Sequence, residues 1–398
     1  MNRQETYKLC NNALESSNFI LLELPTGYGK SKLSIDLVNH LATDKYKEKP
    51  VSVLLLVAKT VHKQTWKDEI SKWGGLKANT LTIECYESLK KHLGETFDII
   101  VMDEVHHLNS ELRLELFSSI SFGSLIGLSA TIPQKLKRYL QYTYHAEIVS
   151  CDIVEAIEDE VLPEPQILLF PLKLDNKILS ETIILNPKAK GQTTYCTYNE
   201  YWKHRKSKNR VVMSCTEKQK IQYLNSQILW QKNFFTKTRA EYMKNRWLFT
   251  CGERLKCLAY FKNNLINRIL YKLAKERTIT FCKTIEQSEY LGKFCIHSKN
   301  KEADEVYADF NQKKINHITA VNILNENANL VDCKYAIFAN LSSSEVVIPQ
   351  RLGRAMRHKS PVIIIPYYED TREEEIVLEM FKSYNVEFIN IIHSIDEI

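Results

Sequence analysis

Long apolar runs are missing from this 398-residue chain: the longest, residues 51–58 and 362–365, fall well short of the ~20 residues a membrane span needs. The opening stretch, MNRQETYKLC, has no apolar core of the kind a signal peptide carries. Both absences point away from membrane-bound and secreted proteins. Ten cysteines are scattered from Cys10 to Cys333, with no C-x-x-C pair and no two histidines nearby at zinc-ligand spacing. A disulfide scaffold would be smaller and denser in cysteine, so separate thiols in a reducing cytosol are expected. Glycine is scarce as well, 11 residues against a usual share of about 7%. Each remaining glycine is therefore more often one that the backbone needs, and two of them, Gly27 and Gly29, lie within three residues. No tandem repeat, low-complexity tract or Pro/Gly linker interrupts the chain.

What is present is an ordinary globular composition, 44% hydrophobic and 26% charged, in a length that suits two or three domains. The net charge of +6 is compatible with a nucleic-acid partner without requiring one. Apolar strands are expected at residues 19–24, 51–58, 81–84, 97–102 and 124–128. Helical spacing marks residues 30–41 and the Trp66, Ile70, Trp73 series. A second alternating block places strands at 167–172, 278–282, 317–321, 335–339 and 362–366. Alternation of this kind predicts an α/β protein with parallel sheets covered on both faces, and ligands in such sheets bind at the carboxyl ends of the strands. The expected division is residues 1–149 and 150–398, with a basic, mostly helical insertion in the second part at about 175–262.

Two motifs carry chemistry. Pro25-Thr26-Gly27-Tyr28-Gly29-Lys30-Ser31 follows a strand and opens a helix, the context of a phosphate-binding loop. Backbone N–H groups around the glycines wrap phosphates, Lys30 reaches the β/γ-phosphates, and Ser31 offers a hydroxyl to Mg²⁺. The strict pattern would place glycine where Leu24 stands. Further on, the strand at 97–102 runs into Asp103-Glu104-Val105-His106-His107. A strand-end Asp103 suits a second Mg²⁺ ligand, and Glu104 suits a base for the attacking water. His106 and His107 make a poor metal pair, because neighbours on an extended segment point to opposite faces. The expectation is an ATP-hydrolysing site using Mg²⁺.

With these motifs in hand, the chain resembles the superfamily 2 helicases and translocases with a DExH box, over nearly its whole length. The resemblance implies two tandem RecA-like P-loop domains and an ATPase driven by nucleic acid. Ser129-Ala130-Thr131 is similar to the family's S-A-T motif, so Ser129 and Thr131, with His106, are implied to link ATP to the polymer. Lys59-Thr60 and Tyr86 fall where nucleic-acid-contacting loops lie, and residues 278–284, with Lys283, resemble the second domain's first strand and loop. Gln4 sits near the position that reads adenine. Gln350-Arg351-Leu352-Gly353-Arg354-Ala355-Met356-Arg357 is similar to the family's Q-R-x-G-R-x-x-R motif, which makes Gln350, Arg354 and Arg357 catalytic candidates. Helical spacing puts the two arginines one turn apart on one face, suited to clamping a γ-phosphate. One motif departs: Asn327 and Asn329 replace the glycine and acidic residue expected there, which leaves open a weakly coupled motor.

Features around Val161-Leu162-Pro163 and residues 357–361 resemble the branch of DNA-repair and phage-encoded translocases. Bacterial or phage-infected cytosol is the implied setting, and DNA, gripped with little sequence preference, the implied partner. RNA remodelling and a barely hydrolysing ATP-dependent clamp are the alternatives. Within the insertion, residues 201–246 hold twelve Lys or Arg against two Glu, interleaved with aromatics. That pattern suits base stacking with backbone neutralisation, or equally a helical face packed on the second domain.

Overall fold

The computed structural model describes residues 2–47, 49–321, 330–341, 358–381 and 388–398. Its first half alternates without interruption: α1 (Arg3–Ser17), β1 (Phe19–Glu23), α2 (Lys30–Asp44), β2 (Ser52–Val57), α3 (Thr60–Lys72), β3 (Thr80–Cys85), β4 (Thr96–Asp103), α4 (Glu111–Ser118), β5 (Ser121–Ser129), α5 (Gln134–Tyr144) and β6 (Glu147–Ser150). All six strands are parallel, in the order β3-β2-β4-β5-β1-β6. Apolar runs rather than alternating patterns are what such a sheet requires, since helices cover both faces. In β2, Val53, Leu55 and Val57 enter one core and Leu54 and Leu56 the other.

After α6 (Ile153–Glu158), β7 (Gln166–Leu172) starts a second sheet. The chain leaves it through β8 (Glu181–Leu185), β9 (Thr194–Thr197), α7 (Tyr201–His204), β10 (Val211–Cys215), α8 (Glu217–Thr238) and α9 (Glu241–Phe261). The stretch expected to be mostly helical thus opens as a three-stranded sheet of its own, in the order β8-β10-β9. Only then come the two long helices. Residues 181–215 carry short β-branched runs whose few buried side chains, Ile183, Val211, Met213 and Cys215, make a core too small to leave a clear periodic signal.

The second sheet resumes with α10 (Asn263–Lys272), β11 (Thr278–Phe281), α11 (Ile285–Leu291), β12 (Cys295–Ile296), α12 (Ala303–Asn311), β13 (His317–Ala320), β14 (Tyr335–Phe338), β15 (Val362–Tyr368), α13 (Arg372–Met380) and β16 (Ile389–Ile391). Its seven strands run parallel in the order β12-β13-β11-β14-β15-β7-β16. Again both faces are buried: Ile363 and Ile365 pack on one side, Val362 and Ile364 on the other. All ten cysteines are free thiols, and burial pushes Cys10 and Cys333 up to about 12.

The insertion is fastened to this sheet by an ion pair withdrawn from water. Lys262, between α9 and α10, has no exposed surface, and Nζ donates to Glu373 Oε1 at 2.6 Å and to the Pro366 carbonyl at 3.2 Å. Glu373 Oε2 in turn accepts the Tyr368 N–H at 3.1 Å. Removing one member strands a buried charge, which costs ~3–5 kcal/mol, whereas replacing both by apolar groups is often nearly neutral. Lys262→Met should therefore lower stability by ~3–5 kcal/mol in urea unfolding followed by circular dichroism. Lys262→Met with Glu373→Leu should recover most of the loss. A double variant no more stable than the single one would show that the pair is worth more than its desolvation.

Candidate active site

Parallel pairing delivers three loops to one edge. β5 lies between β1 and β4, with Glu23 opposite Ser129 and Asp103 opposite Leu128. The glycine loop after β1, the acidic pair after β4 and the Ser129-Ala130-Thr131 turn after β5 therefore leave the sheet side by side, about 5 Å per strand apart. Gly127, in the middle strand, leaves room for the Leu21 side chain. A Cβ there would lie 2.7 Å from Leu21 Cδ2 and 3.5 Å from Val105 Cγ2.

In the first loop Gly27 and Gly29 have φ of 94° and 102°, conformations that side-chain-bearing residues rarely adopt. Gly29 caps α2, whose first residues are Lys30 and Ser31. The first turn of α2, the end of a helix whose dipole favours negative charge, thus faces the loop. Leu24, where the strict pattern has glycine, is fully buried, and its N–H donates to the Ser129 carbonyl at 3.0 Å. This bond carries the pairing one residue past the end of β1, so the loop proper begins at Pro25. Lys30 Nζ is turned back onto the carbonyls of Leu24 and Pro25, at 2.8 and 3.2 Å.

Helix α1 closes the loop from the other side. Arg3 Nε donates to the Tyr28 carbonyl at 2.9 Å, and the buried Tyr28 hydroxyl meets Thr6 Oγ1 at 2.5 Å. Gln4 lines the mouth of the cleft, but Arg3 makes the direct bond to the loop. The cleft, about 700 Å³, is lined by Thr26, Gly27, Gly29, Lys30, Ser31, Asp103 and Glu104 together with Tyr7, Trp66 and Trp73. Trp66 and Trp73 were marked only by their helical spacing, and the bond from Arg3 to the loop had no signal in the sequence. Only the fold brings α1 and α3 over the loop.

Asp103 and Glu104 are 6% and 4% exposed. Trp66 Nε1 donates to Asp103 Oδ2 at 2.8 Å, which fixes the carboxylate. Glu104 is left-handed, with φ 51° and ψ 56°, a conformation that costs ~1–3 kcal/mol. The buried Val105 and Leu108 hold the turn in place. Its next residues form a short 3₁₀ helix rather than extended chain, so His106 and His107 do not point to opposite faces as expected. Their rings lie 4.6 Å apart.

A single hydroxyl gathers these groups. Ser129 Oγ lies 3.0 Å from His106 Nδ1, 3.4 Å from Glu104 Oε2 and 2.8 Å from the Thr131 carbonyl, and Glu104 Oε2 is 3.3 Å from His106 Nδ1. Tyr86, expected at a nucleic-acid contact, is instead 1% exposed, with its hydroxyl on the Asp103 carbonyl at 2.9 Å. Burial pushes its phenol well above the ordinary value and keeps it a donor. Lys59 and Thr60 are exposed at the start of α3. Lys283 is partly exposed at the end of β11, its N–H donating to Gln287 Oε1 at 2.9 Å. Gln350, Arg354, Arg357, Asn327 and Asn329 lie outside the described residues.

The donors present fit the groups expected from the sequence. A hydroxyl and a carboxylate, Ser31 and Asp103, are hard oxygen ligands of the kind Mg²⁺ takes. A glycine turn at a helix N-terminus with a lysine suits a triphosphate.

Residues 2–134 match the family model described as Type III restriction enzyme, res subunit, and residues 260–359 match that described as Helicase conserved C-terminal domain. The second span includes Gln350, Arg354 and Arg357. DNA 3'-5' translocase XPB2 of Sulfurisphaera tokodaii is 29% identical over 128 residues, which is 28% of this chain and only 26% of that protein. Among solved structures, an ATP-dependent Type ISP restriction-modification enzyme, LlaBIII, bound to DNA, superposes with a TM-score of 0.56 at 13% identity, over 99% of this chain and 31% of its own. A variant of S. cerevisiae Dbp5 bound to RNA and ADP BeF3 does so with 0.55 at 12%, over 95% and 87%. The two parallel sheets are those of two tandem RecA-like domains.

Trp66→Phe keeps the ring and deletes the N–H that holds Asp103. Losing a group that orients a metal ligand typically costs about 10–100-fold in metal affinity or activity. A fluorescent ATP analogue should accordingly bind about tenfold more weakly in Mg²⁺, with little change in EDTA. Equal loss in both would assign the indole to packing alone.

Proposed function

Because the chain belongs to the superfamily 2 helicases and translocases, we propose that it couples hydrolysis of ATP to movement along, or opening of, DNA. The observation that carries this reading is the Ser129 hydroxyl, which sits against Glu104 and His106 on one side and the Thr131 backbone on the other. The candidate water-activating carboxylate and the turn leading away from the ATP cleft thus share one hydrogen-bonded centre.

The roles follow from placement. Lys30 leaves the Leu24 and Pro25 carbonyls to take the terminal phosphates, helped by the N–H groups of the Thr26–Ser31 turn. Ser31 and Asp103 hold Mg²⁺, which offsets the phosphate charge. Glu104 takes the proton of the attacking water, and His106 and Ser129 orient its carboxylate. Arg354 and Arg357 supply positive charge to the transition state, with Gln350 beside them. Gln4 and the aromatic wall of the cleft hold the base. Lys59, Thr60 and Lys283 grip the polymer through its backbone, and Ser129 and Thr131 carry the nucleotide state towards it. DNA is favoured over RNA because XPB2 is a DNA translocase and LlaBIII was solved on DNA, although Dbp5 was solved on RNA.

Steady-state ATP hydrolysis, alone and with single-stranded DNA, duplex DNA or RNA, tests the assignment. DNA should stimulate turnover, Lys30→Ala should abolish it, and Glu104→Gln should lower it by about 10²–10⁴-fold, the usual range for a general base. Stimulation by RNA alone would reassign the track. Turnover no higher than that of Lys30→Ala on every polymer would sink the motor and leave an ATP-dependent clamp.

A further inference from the structure

The positive charge of this protein is concentrated in one place. Residues 201–246 hold twelve Lys or Arg and two Glu, a net of +10, whereas the whole chain is +6, so everything else sums to −4. Seven of the twelve cations and both glutamates fall on α8, the start of α9 and the turn between them. The two helices fold back on each other as a hairpin, with Arg254 Nη1 donating to Asn225 Oδ1 at 2.7 Å across it. Its proximal end is anchored: Ile221, Leu224, Leu258 and Phe261 pack with Tyr368 of β15. The distal end is not. Among the described residues, no side chain from Leu229 to Phe249 belongs to any of the hydrophobic clusters.

That free end is rich in aromatics left in water. Trp230 is 50% exposed, Tyr242 64% and Phe249 67%. Trp230, Phe234 and Tyr242 form a continuous row, with ring centroids 6.0 and 6.5 Å apart. Phe249 follows Tyr242 by seven residues, two turns along the same side of α9. On the other rings lie cations: Lys232 over Trp247 at 5.9 Å, and Arg239 and Lys244 over Phe235 at 5.9 and 6.0 Å. Of these, Lys244 is paired with Glu241, whereas Lys232, Lys237 and Arg239 have no carboxylate at ion-pair distance among the described residues.

We propose that the distal α8–α9 hairpin is a second nucleic-acid contact, which takes a single-stranded stretch by stacking its bases on Trp230, Tyr242 and Phe249 while Lys232, Lys237 and Arg239 neutralise its phosphates. Solvated lysines alone would suit any polyanion. Exposed rings interleaved with them select a polymer whose flat faces are free, and in a duplex those faces are already stacked. The contact uses none of Lys59, Thr60 and Lys283 and would hold a strand that the two sheets have separated or are about to engage. It rests on the motor reading only in requiring that nucleic acid be the track.

Fluorescence anisotropy with the full chain, an oligothymidylate and a duplex of equal length provides the test. Trp230→Ala with Tyr242→Ala should weaken oligothymidylate binding about 5–100-fold, the range for losing a stacked base, with a smaller effect on the duplex. Lys232→Gln, Lys237→Gln and Arg239→Gln together should flatten the slope of log affinity against log salt by about 2, at ~0.7 per phosphate contact on a single strand. Unfolding midpoints close to that of the unsubstituted protein would show that both variants keep their fold. Unchanged affinities and slopes, in a protein that still binds DNA and hydrolyses ATP on it, would overturn the hairpin contact and leave the motor standing. A loss confined to the duplex would overturn the single-strand assignment. If the unsubstituted chain bound no polymer at all, both readings would fall together.

Discussion

The position of β5 between β1 and β4 is the constraint on which the active edge depends. Parallel strands deliver every carboxyl end to the same side, but only this order sets the glycine loop and the acidic pair on either flank of Ser129. The Ser129 carbonyl receives the N–H of Leu24, and its hydroxyl meets Glu104 and His106. Glu23, at the end of β1, accepts the Ile132 N–H and pairs with Lys137 of α5, so the turn after β5 is pinned at both ends. Movement of any one of these loops is therefore felt by the other two. The absence of a side chain at Gly127 leaves room for Leu21, which a Cβ there would meet at 2.7 Å, while Val105 would stand at ordinary contact distance.

Much of this was legible beforehand, and the reason is burial on two faces. Strands such as β2, β4, β5 and β15 read as unbroken apolar runs because helices cover both sides, so their positions and the loops that follow them could be located from composition alone. Among the edge strands, β3 was legible at residues 81–84, whereas β6 and β16 were not. β6 is four residues with one buried side chain, and β16 is three residues with none. The small sheet of the insertion escaped for the same reason. Candidate residues that belong to a strand-to-loop junction, Lys30, Ser31, Asp103, Glu104 and Ser129, are found together. Tyr86 was placed on the wrong side of its own backbone, because a motif fixes where a residue lies along the chain but not which way a 3₁₀ turn will direct its ring. The contacts of Arg3 and Trp66 were not legible for a complementary reason: spacing places Trp66 on a helix, but each residue acts on a loop far away in sequence.

The division of charge between residues 201–246 and the rest of the chain bears on how such a molecule would work. On the proposed reading, the cleft would attract a polyanionic nucleotide with a few placed donors: the backbone of one turn, Lys30 and the guanidinium of Arg3 close by. A long polyanion demands a broader field, yet a positive field spread over the body would also hold the polymer against surfaces that must slide. Confining a net +10 to residues 201–246 while the remainder sums to −4 separates the two demands. The hairpin's root is locked by the buried Lys262–Glu373 pair and by Leu258 against Tyr368. Force applied to its free end would therefore pass into β15 and α13 rather than dissipate in a loose linker. β15 joins β14 and β7 near the middle of the second sheet. A strand held at the distal rings would thus be mechanically continuous with the sheet, whatever the nucleotide state of the first.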